Sequence, residues 1–257
     1  MSNDDRPIAQ KPGLADLSTY VVKGPRRDDP DKLFQFYVHG ERSKYRYVNL
    51  YIKEPNTLAW IESFEPGAIF WDVGANVGVY SIYAALVAKA KVYAFEPESS
   101  NYYILNSNIR INQLDSAVFA FCIAFNDATK IDALNIGIAM PGYSNHAFGA
   151  PLNDVGEEFV PKFRQQAIGY TADDWIRQFG AEIPHYIKID VDGIEDKVLC
   201  GMSDLLRSPT LLEVQVEMFE SRAEYVQSVT KLMNSAGFVL KTVSGSSLVK
   251  NYLFSRK

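Results

Sequence analysis

From about residue 68 the chain alternates short, almost continuous apolar runs with amphipathic stretches. AIFWDV, KVYAFEP, AVFAFCIAF, HYIKIDV and TLLEVQVEM contain few interior polar positions, the pattern of parallel strands covered on both faces. Between these runs the spacing predicts helices over Val77–Ala88, Ser99–Asn112, Ile194–Met202 and Ser221–Ala236. Right-handed crossovers place such helices on both sides of a sheet. The last two runs, FVLKTVS and SLVKNYLF, are joined by a Gly-Ser turn too short for a parallel crossover, so they are expected to pair antiparallel at the sheet's edge. The expected fold is α/β, a doubly wound, mostly parallel seven-stranded sheet ending in an antiparallel pair.

Upstream the pattern differs. Leu33 to Ile52 alternates apolar and polar positions (Phe34, Phe36, Val38, then Tyr45, Tyr47, Leu50, Ile52), which predicts a hairpin turning at His39-Gly40-Glu41-Arg42. Thr57–Phe64 reads as a short helix leading to the Pro66-Gly67 turn. Residues 1–32 carry Pro7, Pro12, Pro25 and Pro30 among many charges, a composition that cannot order itself by burial. The division is a flexible arm at 1–32, a hairpin and helix appendage at 33–66, and one α/β domain at 67–257. No internal repeat is present.

A length of 257 residues allows one full core with appendages. The net charge of -5 gives no overall field for polyanions, which argues against a nucleic-acid partner. The early chain is locally basic, with Lys23, Arg26, Arg27, Lys32, Arg42, Lys44 and Arg46. That stretch is either a solvated face or a contact with an acidic substrate or a membrane surface. Cys122 and Cys200 sit in apolar runs and are expected to be buried free thiols. With no secretion-type leader and no apolar run of membrane-spanning length, a cytoplasmic protein without an integral membrane segment is expected.

FWDVGANVGVYS reads strand, turn, helix. Gly74 and Gly78 let the backbone approach a ligand, and Asn76 is placed to cap the helix. In a dinucleotide fingerprint, glycines would also stand two and five residues after Gly74; Asn76 and Val79 stand there instead, which argues against NAD. S-adenosylmethionine fits better, with Asp72 facing the methionine amino group and the Gly74-Ala75-Asn76 turn amides its carboxylate. Glu96 closes the second strand, where a carboxylate can accept from both ribose hydroxyls. Ile123 and Ala124 offer an apolar wall for adenine, with Asn126 and Asp127 beyond them. In HYIKIDVDGIED, Lys188, Asp190 and Asp192 share one side of an extended segment. They form an ion-pair network or a catalytic group. A metal is not expected, because D-x-D-G-x-E supplies too few ligands for a calcium loop. Asp190, Asp192, His146 and Glu217 are candidate bases, Asp190 and Asp192 foremost. Trp71, Tyr80 or Tyr102 could box a sulfonium, although aromatic residues in such runs are ordinarily core.

The stretches FWDVGANVGVYS, VYAFEPESSNYYILNSNIRIN, IAFNDATK, YTADDW and IKIDVDGIEDKVLCGM, taken in order, resemble the FkbM-type methyltransferases. The resemblance covers roughly Ile69 to Glu217. It implies a Rossmann-like class I methyltransferase fold, S-adenosylmethionine as methyl donor, and O-methylation of a hydroxyl on a sugar, glycolipid or polyketide-like small molecule. Asp192 stands where that family usually carries Glu. A binding module without turnover and a nicotinamide oxidoreductase are the alternatives, the second disfavoured by the missing glycines.

Overall fold

The computed structural model describes residues 20–29, 31–245 and 248–257. It opens with an antiparallel hairpin of β1 (Tyr20–Pro25) and β2 (Leu33–Val38), followed by helices α1 (Gly40–Val48), α2 (Leu50–Lys53) and α3 (Pro55–Glu62). The expected second hairpin strand is therefore helical. Ser43, Tyr47 and Leu50 are the buried positions, a helical spacing, while Tyr45 and Ile52 are exposed. The hairpin does exist, but it forms with residues upstream, so the segment read as a loose arm contributes a strand. Residues 1–19 of that arm lie outside the described residues.

The chain continues through β3 (Ile69–Val73), α4 (Val79–Tyr83) with a π turn at Ala84–Ala88, β4 (Lys91–Phe95), α5 (Ser99–Ile111), β5 (Val118–Phe121) and β6 (Ala124–Phe125). Next come β7 (Lys130–Ile136), β8 (His146–Phe148), β9 (Phe163–Tyr170), α6 (Ala172–Phe179) and β10 (Tyr186–Ile189). The last elements are α7 (Glu195–Cys200), β11 (Glu213–Phe219), α8 (Ala223–Ser235), β12 (Phe238–Gly245) and β13 (Val249–Arg256).

The central sheet has the order β12-β13-β11-β10-β3-β4-β5. The five strands from β11 to β5 are parallel, and β13 runs antiparallel to both its neighbours. Both faces are buried. Phe70, Val92 and Ala94 join Leu58, Ile82 and Leu105 in one core, while Trp71, Val73, Phe95 and Ile187 join Trp175, Val198 and Val229 in the other. That two-sided burial is why the strands read as unbroken apolar runs. Strand order reverses between β3 and β10, and a crevice opens at the carboxyl ends of such a pair.

Two features were not anticipated. AVFAFCIAF divides into β5 and β6, and β6 leaves the central sheet for a second one ordered β6-β9-β7-β8. Cys122, in the break between β5 and β6, and Cys200, the last residue of α7, are free but exposed rather than buried, because neither lies in the interior of a covered element. Among the described residues no helix is long and apolar enough to cross a membrane.

Candidate active site

At the β3/β10 crevice lies an open cleft. Gly74, Asn76, Glu96, Ile123, Ala124 and His146 line it, together with Asp190 and Asp192. The second sheet forms one wall through Leu134 of β7 and Phe148 of β8. A second cavity of about 800 Å³ adjoins it, and Arg46, Ser144, Asp190 and Asp192 border both.

The turn after β3 is held by its own hydrogen bonds. Gly74 and Ala75 N–H both donate to Phe95 O at 3.0 Å, and Gly78 N–H donates to Ala75 O at 2.8 Å. Gly74 has φ +85°, and a Cβ there would lie 1.8 Å from Asp190 O. The close passage of β3 past β10 thus requires glycine. Asn76 N–H donates to Glu96 Oε2 at 2.8 Å and Glu98 N–H to Glu96 Oε1 at 2.8 Å, so the two loops jointly aim the Glu96 carboxyl. Burial pushes Glu96 up to about 8, against the two backbone donors that lower it.

Asp190 and Asp192 differ sharply. Burial, the largest single influence, would raise Asp190, but the Lys188 and Lys53 ammoniums and the hydrogen bonds from Glu217 and Lys188 together hold the carboxyl below the usual range. Lys188 Nζ donates to Asp190 Oδ2 at 2.6 Å, and Lys188 is itself only 1% exposed. Glu217 shares a hydrogen bond with Asp190, and burial followed by the Asp190 charge pushes it well up. Asp192 has no cation paired to it among the described residues. Its Oδ2 accepts from Asn145 N–H at 2.7 Å and His146 N–H at 3.2 Å. Burial and then the Asp190 charge push it up to about 7. His146 is buried, neither ring nitrogen has a hydrogen-bond partner, and burial lowers it.

Glu96, Ile123, Ala124, Gly74, Asn76, His146, Asp190 and Asp192 are thus brought to one cleft. Other expected residues are not. Asp72 is 1% exposed and lines neither cavity; it accepts from Ser81 Oγ at 2.5 Å, because its side chain turns inward under α4. Ala75 and Gly78 shape the turn from behind. Asn76 does not cap α4, since Gly78 occupies that position and the Asn76 side chain instead donates to Tyr143 O at 2.9 Å. The turn amides of Gly74, Ala75 and Asn76 are consumed within the protein. Asn126 and Asp127 stay outside the cleft, as Asn126 N–H is drawn to Tyr170 O and its side chain to Asp127 N–H. Trp71, Tyr80 and Tyr102 are packing residues; Tyr80 lies under Lys188 Nζ at 4.9 Å. Lining residues such as Leu134, Ser144 and Phe148 went unread in the sequence, and Arg46 was read only as part of a basic stretch.

The Methyltransferase FkbM domain model matches residues 72–240. Hexuronic acid methyltransferase AglP of Haloferax volcanii is 25% identical over 241 residues, covering 90% of this chain and 89% of that protein. Methyltransferase sdnD of Sordaria araneosa is 23% identical, covering 72% and 78%. Among solved structures, methyltransferase FkbM from Methylobacillus flagellatus KT superposes with a TM-score of 0.54 at 16% identity. That alignment covers 74% of this chain and 44% of the other, so the chain spans under half of that structure. A SAM-dependent methyltransferase from Agrobacterium tumefaciens gives 0.52 at 12% identity, covering 92% and 70%. At these identities the two structures speak for the fold.

Proposed function

Because the chain belongs to the FkbM methyltransferase domain family, we propose that it transfers a methyl group from S-adenosylmethionine to an oxygen of a sugar, glycolipid or polyketide-like acceptor. One observation carries the reading. Glu96, aimed by the Asn76 and Glu98 amides, lines a cleft that shares Asp190 and Asp192 with a second cavity. A nucleoside cofactor in the first and an acceptor in the second would meet at those aspartates. The AglP name, a sugar-acid methyltransferase, supports a sugar-like acceptor.

The cofactor would supply an electrophilic sulfonium methyl. Glu96 would accept from ribose hydroxyls, and Ile123 and Ala124 would flank the adenine. Asp192 is the better general base of the two aspartates, because Asp190 is committed to Lys188. Its proton affinity near neutrality suits the removal of an acceptor hydroxyl proton. His146 offers two free ring nitrogens beside it, as a hydrogen-bonding partner for acceptor or cofactor.

Calorimetric titration with S-adenosylmethionine and with NAD tests the cofactor. Binding of the first and not the second is expected, and the reverse would overturn the reading. Formation of S-adenosylhomocysteine with sugars, glycolipids or polyketides present tests turnover. A binding protein that yields none with any of these acceptors would be a non-catalytic module.

A further inference from the structure

Charges of both signs line the second cavity: acids that include Asp190, Asp192 and Glu217, and the cations Lys53, Arg42 and Arg46, the two arginines from α1. The two arginines are four residues apart and so share a helix face. Neither makes an ion pair among the described residues, although acids line the same cavity. Arg46 is half-buried, and its Nε donates to Gly142 O at 2.6 Å, which fixes the guanidinium plane and leaves its terminal nitrogens without an acceptor among the described residues. Arg42 lies near the Tyr45 and Tyr143 rings, at 5.4 and 6.0 Å. The loop bearing Gly142 is pressed onto α1, since a Cβ at Gly142 would come within 2.7 Å of Ser43 N. A pre-oriented guanidinium facing a cavity is suited to planar, bidentate recognition of a carboxylate.

We propose that this cavity selects acceptors bearing a carboxylate, acidic sugars of the uronic class, with Arg46 and Arg42 holding the carboxylate and a hydroxyl of the same molecule directed to Asp192. The inference rests on the methyltransferase reading and names its acceptor class. A neutral sugar could enter the cavity but would have nothing to place at the arginine wall. A carboxylate is favoured beside Arg42 and Arg46 and disfavoured beside Asp190 and an ionised Asp192. Burial raises Glu195 and Glu217, so these two acids of the cavity oppose an anion less than their number suggests.

The test is calorimetric titration of the protein with glucuronic acid and with glucose, with and without saturating S-adenosylhomocysteine, repeated for Arg46→Gln, Arg46→Lys and Arg42→Gln. Glucuronic acid is expected to bind at least about tenfold more tightly than glucose, the scale of a charge-assisted hydrogen bond. Arg46→Gln should abolish that preference, Arg46→Lys should restore part of it, and Arg42→Gln, at a residue that borders only the second cavity, should reduce it with S-adenosylmethionine affinity kept within about twofold. Equal binding of the two sugars, or binding of neither, would overturn the proposal. So would a loss of S-adenosylmethionine affinity in Arg46→Gln with the uronate preference intact, which would assign the guanidinium to the cofactor's own carboxylate. Failure of S-adenosylhomocysteine to bind the unmodified protein would instead count against the cofactor, and the sugar preference is read separately in its absence.

Discussion

Asp190 and Asp192 stand two residues apart at one strand end, yet their surroundings assign them opposite work. Asp190 neutralises a buried ammonium. Asp190→Asn would leave Lys188 with the Glu54, Asp72 and Glu217 carboxyls but without its hydrogen-bonded ion pair, and breaking one side of a buried pair costs roughly 3–5 kcal/mol. Urea unfolding should register a loss toward the lower end of that range. Asp192 sits at φ +58°, a conformation Asn also tolerates, and its two backbone donors could still bond an amide oxygen. Asp192→Asn is therefore expected to fold normally and keep cofactor affinity, while turnover of a hydroxyl acceptor falls about 10²–10⁴-fold. The pH profile of the unmodified enzyme should rise as Asp192 ionises near 7 and level off above it, and the variant should lose that limb. The sign for stability is opposite. A carboxyl raised on folding binds its proton more tightly in the native state, so the native state loses ground as pH climbs from the unfolded value toward 7. At pH 8 the asparagine variant should melt no lower than the parent. Glu96 obeys the same linkage in binding. It is protonated below about 8 in the empty cleft, and ribose hydroxyls need the ionised form as acceptor, so affinity for S-adenosylmethionine should strengthen with pH through that value. Glu96→Ala should weaken it by one to two decades, as expected for a charge-assisted bond of about 1.5–3 kcal/mol. A flat affinity between pH 6 and 9 would show that Glu96 does not serve the ribose.

Among the elements, the β3 turn tolerates substitution least. Gly74→Ala must pay roughly 1–2 kcal/mol for a side chain at positive φ, and its Cβ would meet the backbone of the neighbouring strand end at 1.8 Å. The expected outcome is a protein with a lowered melting temperature that no longer takes up S-adenosylmethionine; undiminished binding would mean the turn is not part of the cleft. The elements of the central sheet and the residues Glu96, Asp190 and Asp192 were legible because each sits where an apolar run ends, and a charge there breaks the pattern. Asp72 broke the pattern in the same way yet lines neither cavity, since Ser81, nine residues on in α4, supplies a partner from inside the fold. Other features left no such mark. In α1 the buried face includes the polar Ser43, which masks a helical stripe, while the exposed Tyr45 imitates a strand's alternation. The second sheet exposes Ile131, Phe163 and Ile168, so β7 and β9 show no clean polar face. Arg46 gained its place only when the Gly142 loop folded against α1, a contact across 96 residues that no local pattern encodes.

For the whole molecule, the question is whether the segment before β3 is an attachment or part of the core. Its chemistry argues for the core. Phe34, Phe36 and Val38 of β2 are buried in the same cluster as Ile82 and Leu105 of α4 and α5, and Phe36 stacks on Tyr47 at 4.3 Å. Arg26, 5% exposed, donates to Leu86 O in the π turn at 2.7 Å. The free edge of β2 is satisfied by side chains of α5 in place of a third strand. Asn108 Oδ1 accepts from Tyr37 N–H at 2.8 Å, while Asn112 Oδ1 accepts from Gln35 N–H at 3.1 Å and its Nδ2 donates to Gln35 O at 2.6 Å. Asn108 Nδ2 also donates to Val77 O at 2.7 Å and Tyr47 Oη at 3.0 Å. One buried amide thus joins hairpin, α1, glycine turn and α5, so the wall carrying Arg42 and Arg46 is referenced to the cofactor turn through Asn108. Asn108→Ala would orphan several of these groups, each at about 1–3 kcal/mol if left unsatisfied. Calorimetry should show a lowered melting temperature but still one transition, because hairpin and sheet share a core and lose it together. The amide of Tyr37 should exchange its hydrogen faster, and the acceptor's KM should rise more than the cofactor's Kd. Two separated transitions in the unmodified protein, the first leaving S-adenosylmethionine binding intact, would mean that the hairpin and α1 are an independent appendage.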